Sequence, residues 1–207
     1  MKLVTRMTIC ALLVLPMVPA GFPVSLSQAT DLSGAAKAYF AGGCFWCMEE
    51  VFEKVPGVTS VASGYMGGRV ENPSYEQVSA GGTGHAESVE VVYDPAKVSY
   101  TRLLDAFWHN VDPVTPNAQF CDHGSQYRAV IFYQDEEQKH LAEESKRAIE
   151  QSRRLTQPIV TELTKASQFY PAEDYHQDFY KKNPIRYKFY KFNCGRAQRL
   201  EEVWGAP

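Results

Sequence analysis

Residues 38–57 read AYFAGGCFWCMEEVFEKVPG, and the fold turns on them. Ala38 to Ala41 is a short apolar run that ends in Gly42-Gly43, the pattern of a buried strand entering a tight turn. From Cys44 onward Met48, Val51, Phe52 and Val55 fall at helical spacing, and Pro56-Gly57 stops the helix. A cysteine therefore sits where a strand hands over to a helix. Outward from this unit, Val58–Tyr65 and Ser88–Tyr93 alternate as strands do, the second bounded by Asp94-Pro95. Ser99 can cap a helix that turns Leu103, Leu104, Phe107 and Val111 to the core and ends by Pro113. Tyr127–Tyr133 reads as a strand. Asp135 with Gln138 opens a surface helix whose narrow apolar stripe is Leu141, Ala148 and Leu155. Ile159–Leu163 is one more strand, Ala172–Lys182 a short helix, and the basic, aromatic tail from Asn183 reads as long and loop-rich. The elements lack the regular beat of a doubly wound sheet. They predict an α+β fold: a two-layer sandwich with a ferredoxin-like core, helices packed on a mixed, largely antiparallel sheet.

The 207 residues are 44% hydrophobic and 13% aromatic, enough for a core, which excludes wholesale disorder. Five cysteines are too few for a disulfide-framework mini-protein. A net charge of −3 argues against a nucleic-acid binder. Lys2 and Arg6 precede an uncharged apolar run, Met7 to Val18, followed by small and polar residues ending Ser27-Gln28-Ala29. That is the pattern of a secretory signal peptide spanning residues 1–29, cut after Ala29 or, as second choice, after Ala20. The alternative is an uncleaved membrane anchor, although the run falls short of the roughly 20 apolar residues that span a bilayer. Cleavage removes Cys10 and leaves 19 basic residues against 24 acidic, a net charge of −5, in one domain of residues 30–207. An exported chain, periplasmic in a bacterium, meets an oxidising compartment in which working thiols need a dedicated electron donor.

Gly42-Gly43-Cys44-Phe45-Trp46-Cys47 is the densest chemical signal. At a helix N-terminus the backbone N–H groups and the helix dipole favour a thiolate at Cys44, and Cys47 lies within disulfide reach one helical turn on. A zinc site would need a second ligand pair of similar spacing, and Cys121 and Cys194 are isolated in sequence. A structural disulfide across so short a loop contributes little. A redox-active pair is favoured, either an exchanger of disulfides or a reducer of oxidants.

A second cluster bears on that choice. Gly81-Gly82-Thr83-Gly84-His85-Ala86-Glu87 places one carboxylic acid at a strand entrance. Asn72-Pro73-Ser74-Tyr75 lies upstream and Cys121-Asp122-His123-Gly124-Ser125-Gln126-Tyr127 downstream. A disulfide exchanger needs little beyond its cysteines, whereas reduction of an S=O or O–O bond needs a proton donor for the oxygen. Glu87, flanked by the phenols of Tyr75 and Tyr127, can be that donor. Taken singly, His85 can equally be a loop hydrogen-bonder and the tyrosines half-buried aromatics.

Together these segments resemble peptide methionine sulfoxide reductase, type A. The likeness runs through Gly43-Cys44-Phe45-Trp46, Gly64-Tyr65-x-Gly67-Gly68, Asn72-Pro73-x-Tyr75, Thr83-Gly84-His85-Ala86-Glu87 and Tyr93-Asp94-Pro95. It continues through Phe107-Trp108, Asp122-His123-Gly124-Ser125-Gln126-Tyr127-Arg128 and Phe169-Tyr170-x-Ala172-Glu173-x-x-His176-Gln177, nearly the whole mature chain. The resemblance implies reduction of the S-epimer of methionine sulfoxide, free or in oxidised proteins and peptides, to methionine. Cys44 would attack the sulfoxide sulfur and become a sulfenic acid. Protonated Glu87 would donate to the oxygen, held by Tyr75 and Tyr127. Phe45 and Trp46 would receive the substrate methyl, with His85 also at the substrate, and Asp122 would orient the site.

Many relatives in this family lack a cysteine at the Cys47 position and resolve the sulfenic acid from the C-terminal tail. Here both Cys47 and Cys194 are present, so a Cys44–Cys47 disulfide followed by Cys47–Cys194 is expected, with Cys121 a passive buried thiol. No metal or organic cofactor is implied, because the cysteines carry electrons from a thioredoxin-like dithiol donor to a monomeric enzyme free of membrane once cleaved. Two rivals stand: an exported thioredoxin-like disulfide oxidoreductase, which leaves Glu87 and the tyrosines idle, and a non-catalytic module gripping Met-rich partners through Phe45-Trp46.

Overall fold

The structure, a computed structural model, describes residues 34–205. The expected signal peptide, with Cys10, lies outside the described residues. Strand β1 (Ala36–Gly42) leads through the Gly42-Gly43 turn into helix α1 (Phe45–Glu53). Strand β2 (Val58–Met66), the single-turn helix α2 (Tyr75–Ser79), strand β3 (Ala86–Tyr93) and helix α3 (Tyr100–Trp108) follow. A two-residue ribbon, β4 (Ala118–Gln119) and β5 (Asp122–His123), precedes a 3-10 turn at Ser125–Tyr127 and strand β6 (Ala129–Tyr133). Next come helix α4 (Glu136–Gln151) and strands β7 (Glu162–Lys165) and β8 (Tyr170–Pro171). Helices α5 (Phe179–Lys182), α6 (Pro184–Asn193) and α7 (Arg196–Trp204) end the described chain. No helix among these is long and apolar enough to cross a membrane.

The α+β sandwich is as expected. Six strands form one mixed sheet in the order β7-β6-β1-β3-β2-β8, with every pairing antiparallel except β6 with β7. The alternation of side chains along each strand then decides what is buried where. Phe40, Val89, Val91 and Ile131 belong to the large core shared with α1 and α3, whereas Ala41, Ala86, Val130 and Phe132 form a smaller cluster apart from it. Glu87 has the same parity as Val89 and Val91, so the strand's own period carries a carboxyl to the helix-covered face. Phe40, wholly buried, anchors that core by stacking on Phe52 at 4.7 Å and on Phe107 at 5.4 Å between ring centroids.

Topology also gathers the ends. Because β1 runs antiparallel to both β3 and β6, with Phe40 opposite Val89 and Gly42 opposite Ala129, the end of β1 meets the starts of β3 and β6. The Cys44 turn, Glu87 and Tyr127 thus arrive at one edge of the sheet.

Several boundaries move. Helix α3 ends at Trp108 with His109 as its C-cap, before the expected Pro113. Leu155 falls beyond the end of α4, and the last strand of the expected set occupies Glu162–Lys165 rather than 159–163. Only Phe179–Lys182 of the expected 172–182 helix forms. Gln177 holds the rest open: its amide accepts from Ser63 N at 2.9 Å and donates to Ser63 O and Ala172 O. The tail is the clearest difference. It is helical instead of loop-rich, because Pro184 starts α6 in its first turn and tertiary contacts hold the helix down. Tyr187 is buried and donates to Glu50 at 2.6 Å, where Lys191 also pairs at 2.5 Å.

Phe40→Ala should cost about 3–5 kcal/mol of unfolding free energy, because it opens a cavity at the centre of an aromatic stack. Urea denaturation reads this as a lower midpoint at unchanged slope. A loss under about 1 kcal/mol would mean that Phe52 and Phe107 close the gap.

Candidate active site

The turn that delivers Cys44 leaves no room for a side chain. Gly43 has φ +81°, and a Cβ there would lie 2.5 Å from the Cβ of Gln119. Gln119 is itself fixed, accepting from Asp112 N and donating to Asp112 O. Cys44 occupies the N-cap of α1 with φ −51° and ψ 118°, and its carbonyl accepts from Cys47 N at 3.0 Å. Both thiols are free and buried.

Cys44, Phe45, Trp46, Tyr75, Glu87, Asp122 and Tyr127 line one small cleft of about 70 Å³, together with Tyr190. Seven residues singled out in the sequence therefore meet at a single place. A volume of this size takes the end of a side chain and not a whole residue. A larger apolar groove of about 540 Å³ between α3, α4 and α7, walled by Trp108, Leu141 and Trp204, holds no thiol.

Glu87 is the electrostatic centre. Its carboxyl is buried and accepts one hydrogen bond, from the backbone N–H of Phe45 at 3.0 Å. Burial pushes it up to about 8 against the lowering effect of that bond, and the charges of Asp122 and Cys47 push the same way. At neutral pH it is a carboxylic acid with a proton to give. Burial and the neighbouring Glu87 raise both Tyr75 and Tyr127 above the usual phenol value, Tyr127 well above it, so both remain hydroxyl donors.

The thiols divide a charge in a way the helix-end argument does not anticipate. Burial, then Cys47 and Glu87, raise Cys44, so the expected resting thiolate at that position is not found. The hydrogen bond from Cys44, with Arg196, Tyr187 and Lys191 nearby, brings Cys47 down to about 6 despite burial. The pair thus carries one negative charge, seated on Cys47, with the Cys44 proton beside it.

The aromatic residues of the motif are held from behind. Trp46 stacks on Phe179 with centroids 3.7 Å apart and donates through Nε1 to His176 Nδ1 at 3.1 Å. His176 packs on the rings of Phe45 and Tyr75. Tyr75 N donates to Glu173 at 2.8 Å, which also accepts from the Tyr65 hydroxyl. Asp122 is raised by burial and accepts from the Tyr190 hydroxyl at 2.5 Å. That same hydroxyl lies within hydrogen-bonding reach of the Cys44 sulfur. Tyr187 stands likewise at Cys47.

Two expectations need correction. His85 is not at the cleft: its Nδ1 accepts from Gly68 N and its Nε2 donates to Val70 O, so both ring nitrogens serve the loop. Cys121 is an exposed residue, not a passive buried thiol. Cys194 is bonded to it, across 73 residues of sequence. Glu173 and His176, which the family likeness includes without a role, stand behind the cleft, and Tyr187, Tyr190 and Arg196 are neighbours of the thiols that the sequence reading did not single out. The i, i+3 spacing of Tyr187 and Tyr190 just before Cys194 was the available signal.

Two side-chain clusters could hold a cation by composition. One, Cys121-Asp122-Cys194, has its sulfurs joined to each other. In the other, Glu49-Glu53-Asp178, Lys181 pairs with Glu53 at 2.6 Å and with Asp178 at 2.8 Å, and Tyr180 donates to Glu53.

Free thiols one helical turn apart, with a protonated carboxyl and two phenols over the first of them, define an oxidoreductase that works through its own cysteines. Comparison with known proteins gives the family. Residues 36–207 match the sequence profile described as peptide methionine sulfoxide reductase. Peptide methionine sulfoxide reductase MsrA of Listeria monocytogenes serotype 4a is 50% identical over 168 residues, covering 81% of this chain and 95% of that protein. Mxr1 of Saccharomyces cerevisiae in its reduced form is similar in structure, with a TM-score of 0.70 at 29% identity over 74% of this chain and 88% of that one. Mxr1 in complex with Trx2 gives a TM-score of 0.51 at 19% identity over 72% and 87%, a likeness of fold. The chain belongs to the peptide methionine sulfoxide reductase family.

The site's ionisation can be read directly. Thiolate ultraviolet absorbance should appear with a midpoint near pH 6, vanish from that range in Cys47→Ser, and move to higher pH in Cys44→Ala, which removes the bond that favours it. The infrared band of protonated carboxyl should keep a component that fades only around pH 8, and that component should be missing from Glu87→Gln. A thiolate signal indifferent to Cys47→Ser would sink this assignment.

Proposed function

We propose that the chain reduces methionine S-sulfoxide, free or within oxidised proteins and peptides, to methionine by way of a sulfenic acid at Cys44. The observation that carries the reading is the buried, neutral Glu87 placed in one cleft with the free Cys44 thiol and two phenols.

The steps follow from the charges in the cleft. The Cys47 thiolate takes the Cys44 proton, and the Cys44 thiolate attacks the sulfoxide sulfur. Glu87 delivers its proton to the oxygen while the hydroxyls of Tyr75 and Tyr127 donate to it, which stabilises the charge that develops there. Oxygen passes to Cys44 as a sulfenic acid, methionine leaves with two more electrons than the sulfoxide had, and Glu87 is left a carboxylate. The Cys47 thiol then displaces the sulfenic hydroxyl, giving a Cys44–Cys47 disulfide and water. Phe45 and Trp46 offer the apolar wall for the substrate methyl group, and Asp122 keeps Tyr190 turned toward Cys44.

The enzyme needs no metal or organic cofactor in this scheme. A thioredoxin-like dithiol protein returns the electrons, a reading supported by the complex of yeast Mxr1 with Trx2. The basic, apolar and small-residue succession of residues 1–29 supports export, most simply to a bacterial periplasm. N-terminal sequencing of the exported protein should begin at Thr30, and an intact Met1 would overturn the export reading.

With racemic methionine sulfoxide and dithiothreitol, NMR should show loss of the S-epimer alone. Consumption of neither epimer would reject the activity. Cys44→Ser should abolish turnover. Glu87→Gln should slow Cys44 sulfenic acid formation by about two to four powers of ten, and an unchanged rate would remove Glu87 from the acid role. Because the acid must be protonated, the wild-type rate should fall above about pH 8.

A further inference from the structure

We propose that the outward face of α6 is a docking surface for an anionic phospholipid bilayer, on which the folded chain lies without crossing it. The proposal stands on this surface alone and is independent of the reductase reading. It departs from the expectation of a chain free of membrane.

Apolar exposure is concentrated on one helix. Among the described residues, Ile185 at 85%, Phe189 at 70% and Phe192 at 85% exposure are three of the five large apolar side chains left in solvent. Their i, i+4, i+7 spacing on α6 sets them in one stripe. Tyr187, two positions from both Ile185 and Phe189, is buried with its hydroxyl on Glu50, so the stripe faces away from the chain. A single surface helix presents a convex ridge. Two phenylalanines and an isoleucine fall short of the roughly 800 Å² that each partner buries in a specific protein interface. A soft lipid surface accepts such a ridge to a depth of about 5–10 Å.

Charge selects the lipid. The chain as a whole is acidic, with a net charge of −3, yet the stretch from Lys181 to Arg199 holds seven basic residues and no acidic one. By the helical period, exposed Lys188 falls on one flank of the stripe and exposed Arg186 on the other. Lys181 pairs with Glu53 and Asp178, and Lys191 with Glu50. Among the described residues Arg186 and Lys188 pair with no carboxylate, and Arg186 lies over the Phe179 ring at 5.8 Å. Cations on both sides of an apolar ridge, with no acid in the segment, are the pattern of a helix lying in an interface with its charges at phosphate level. No described helix is long and apolar enough to cross a membrane, so α6 lies along the surface. Tyr190, on the same helix, lines the cleft, so docking holds the cleft roughly one helix diameter, about 10–12 Å, from the headgroups.

The test uses residues 30–207, which hold every described strand and helix and the whole core, so that the apolar run Met7–Val18 cannot itself bind lipid. Vesicles of mixed phosphatidylglycerol and phosphatidylcholine should carry the chain down on sedimentation. Vesicles of phosphatidylcholine alone should leave it in solution, and raised salt should release it from the anionic ones. Phe189→Gln with Phe192→Gln, and separately Arg186→Glu with Lys188→Glu, should each weaken partition by about tenfold or more at unchanged near-ultraviolet circular dichroism. No binding to the anionic vesicles, equal binding to both lipids, or binding that either pair of substitutions leaves unchanged would overturn the proposal. Self-association abolished by Phe189→Gln with Phe192→Gln, without lipid binding, would give the stripe to a second copy and overturn it too. So would slower turnover of an oxidised polypeptide, but not of free methionine sulfoxide, in a variant pair without lipid binding. Both variant pairs should reduce free methionine sulfoxide at the wild-type rate, so a failure of docking leaves the reductase reading intact and the reverse holds as well.

Discussion

One hydrogen bond, 3.0 Å long, from the backbone N–H of Phe45 to the Glu87 carboxyl, joins the first turn of α1 to the core face of β3. Everything reactive in the molecule is arranged around it. The same bond that anchors the carboxyl belongs to the residue after Cys44, so the Cys44 thiol and the Glu87 carboxyl hold a relative position set by backbone. Burial would otherwise make such a carboxyl costly, and the bond offsets part of that cost while leaving the acid protonated. Glu87 is placed there by strand parity, and Cys44 by a turn that only a residue without Cβ can make at Gly43. Geometry at this site is thus a property of the sheet and the turn, not of loops.

The C-terminal helices supply what the sheet edge lacks. Tyr187 and Tyr190 close over the two thiols, and the positive charges of Lys191 and Arg196 draw the shared negative charge onto Cys47. Arg196 is itself seated over the Phe120 ring at 4.4 Å and donates to Asn110 O at 2.5 Å. Arg199 pairs with the buried Asp112 at 2.8 Å. The tail is fastened on either side of Cys194, so the cover over the two thiols and the fold's last packing layer are one structure.

Much of this was legible in residue order, and the rest fails for identifiable reasons. Strands β1, β2 and β3 and the capped helices α3 and α4 follow from period and capping residues, since local pattern and tertiary burial agree there. The convergence of Cys44, Tyr75, Glu87, Asp122 and Tyr127 was visible as a chemical ensemble. Helix α6 was not visible because its apolar residues face both ways: Tyr187 is buried while Ile185, Phe189 and Phe192 are among the most exposed side chains. No single stripe marks it. The Cys121–Cys194 bond depends on contact between segments far apart in the chain, which spacing cannot reveal. The ionisation of the thiols was misjudged for a related reason. A helix end is a local feature, but desolvation and the field of Arg196 come from tertiary packing.

Keeping Glu87 neutral has a thermodynamic counterpart in the stability of the whole chain. In the unfolded chain its carboxyl releases its proton near 4.5, and in the folded one near 8. Its stabilising influence is therefore complete below about pH 4.5 and drains away as pH rises through about 8, because the folded state holds a proton that the unfolded state has given up. Glu49, a buried residue of α1 raised to about 7, adds to the trend with the same sign. Most folded proteins loosen in acid as paired carboxylates are protonated; these two groups loosen the fold in base. A more apolar pocket would hold the proton on Glu87 to still higher pH and carry that loss of stability further up the pH scale.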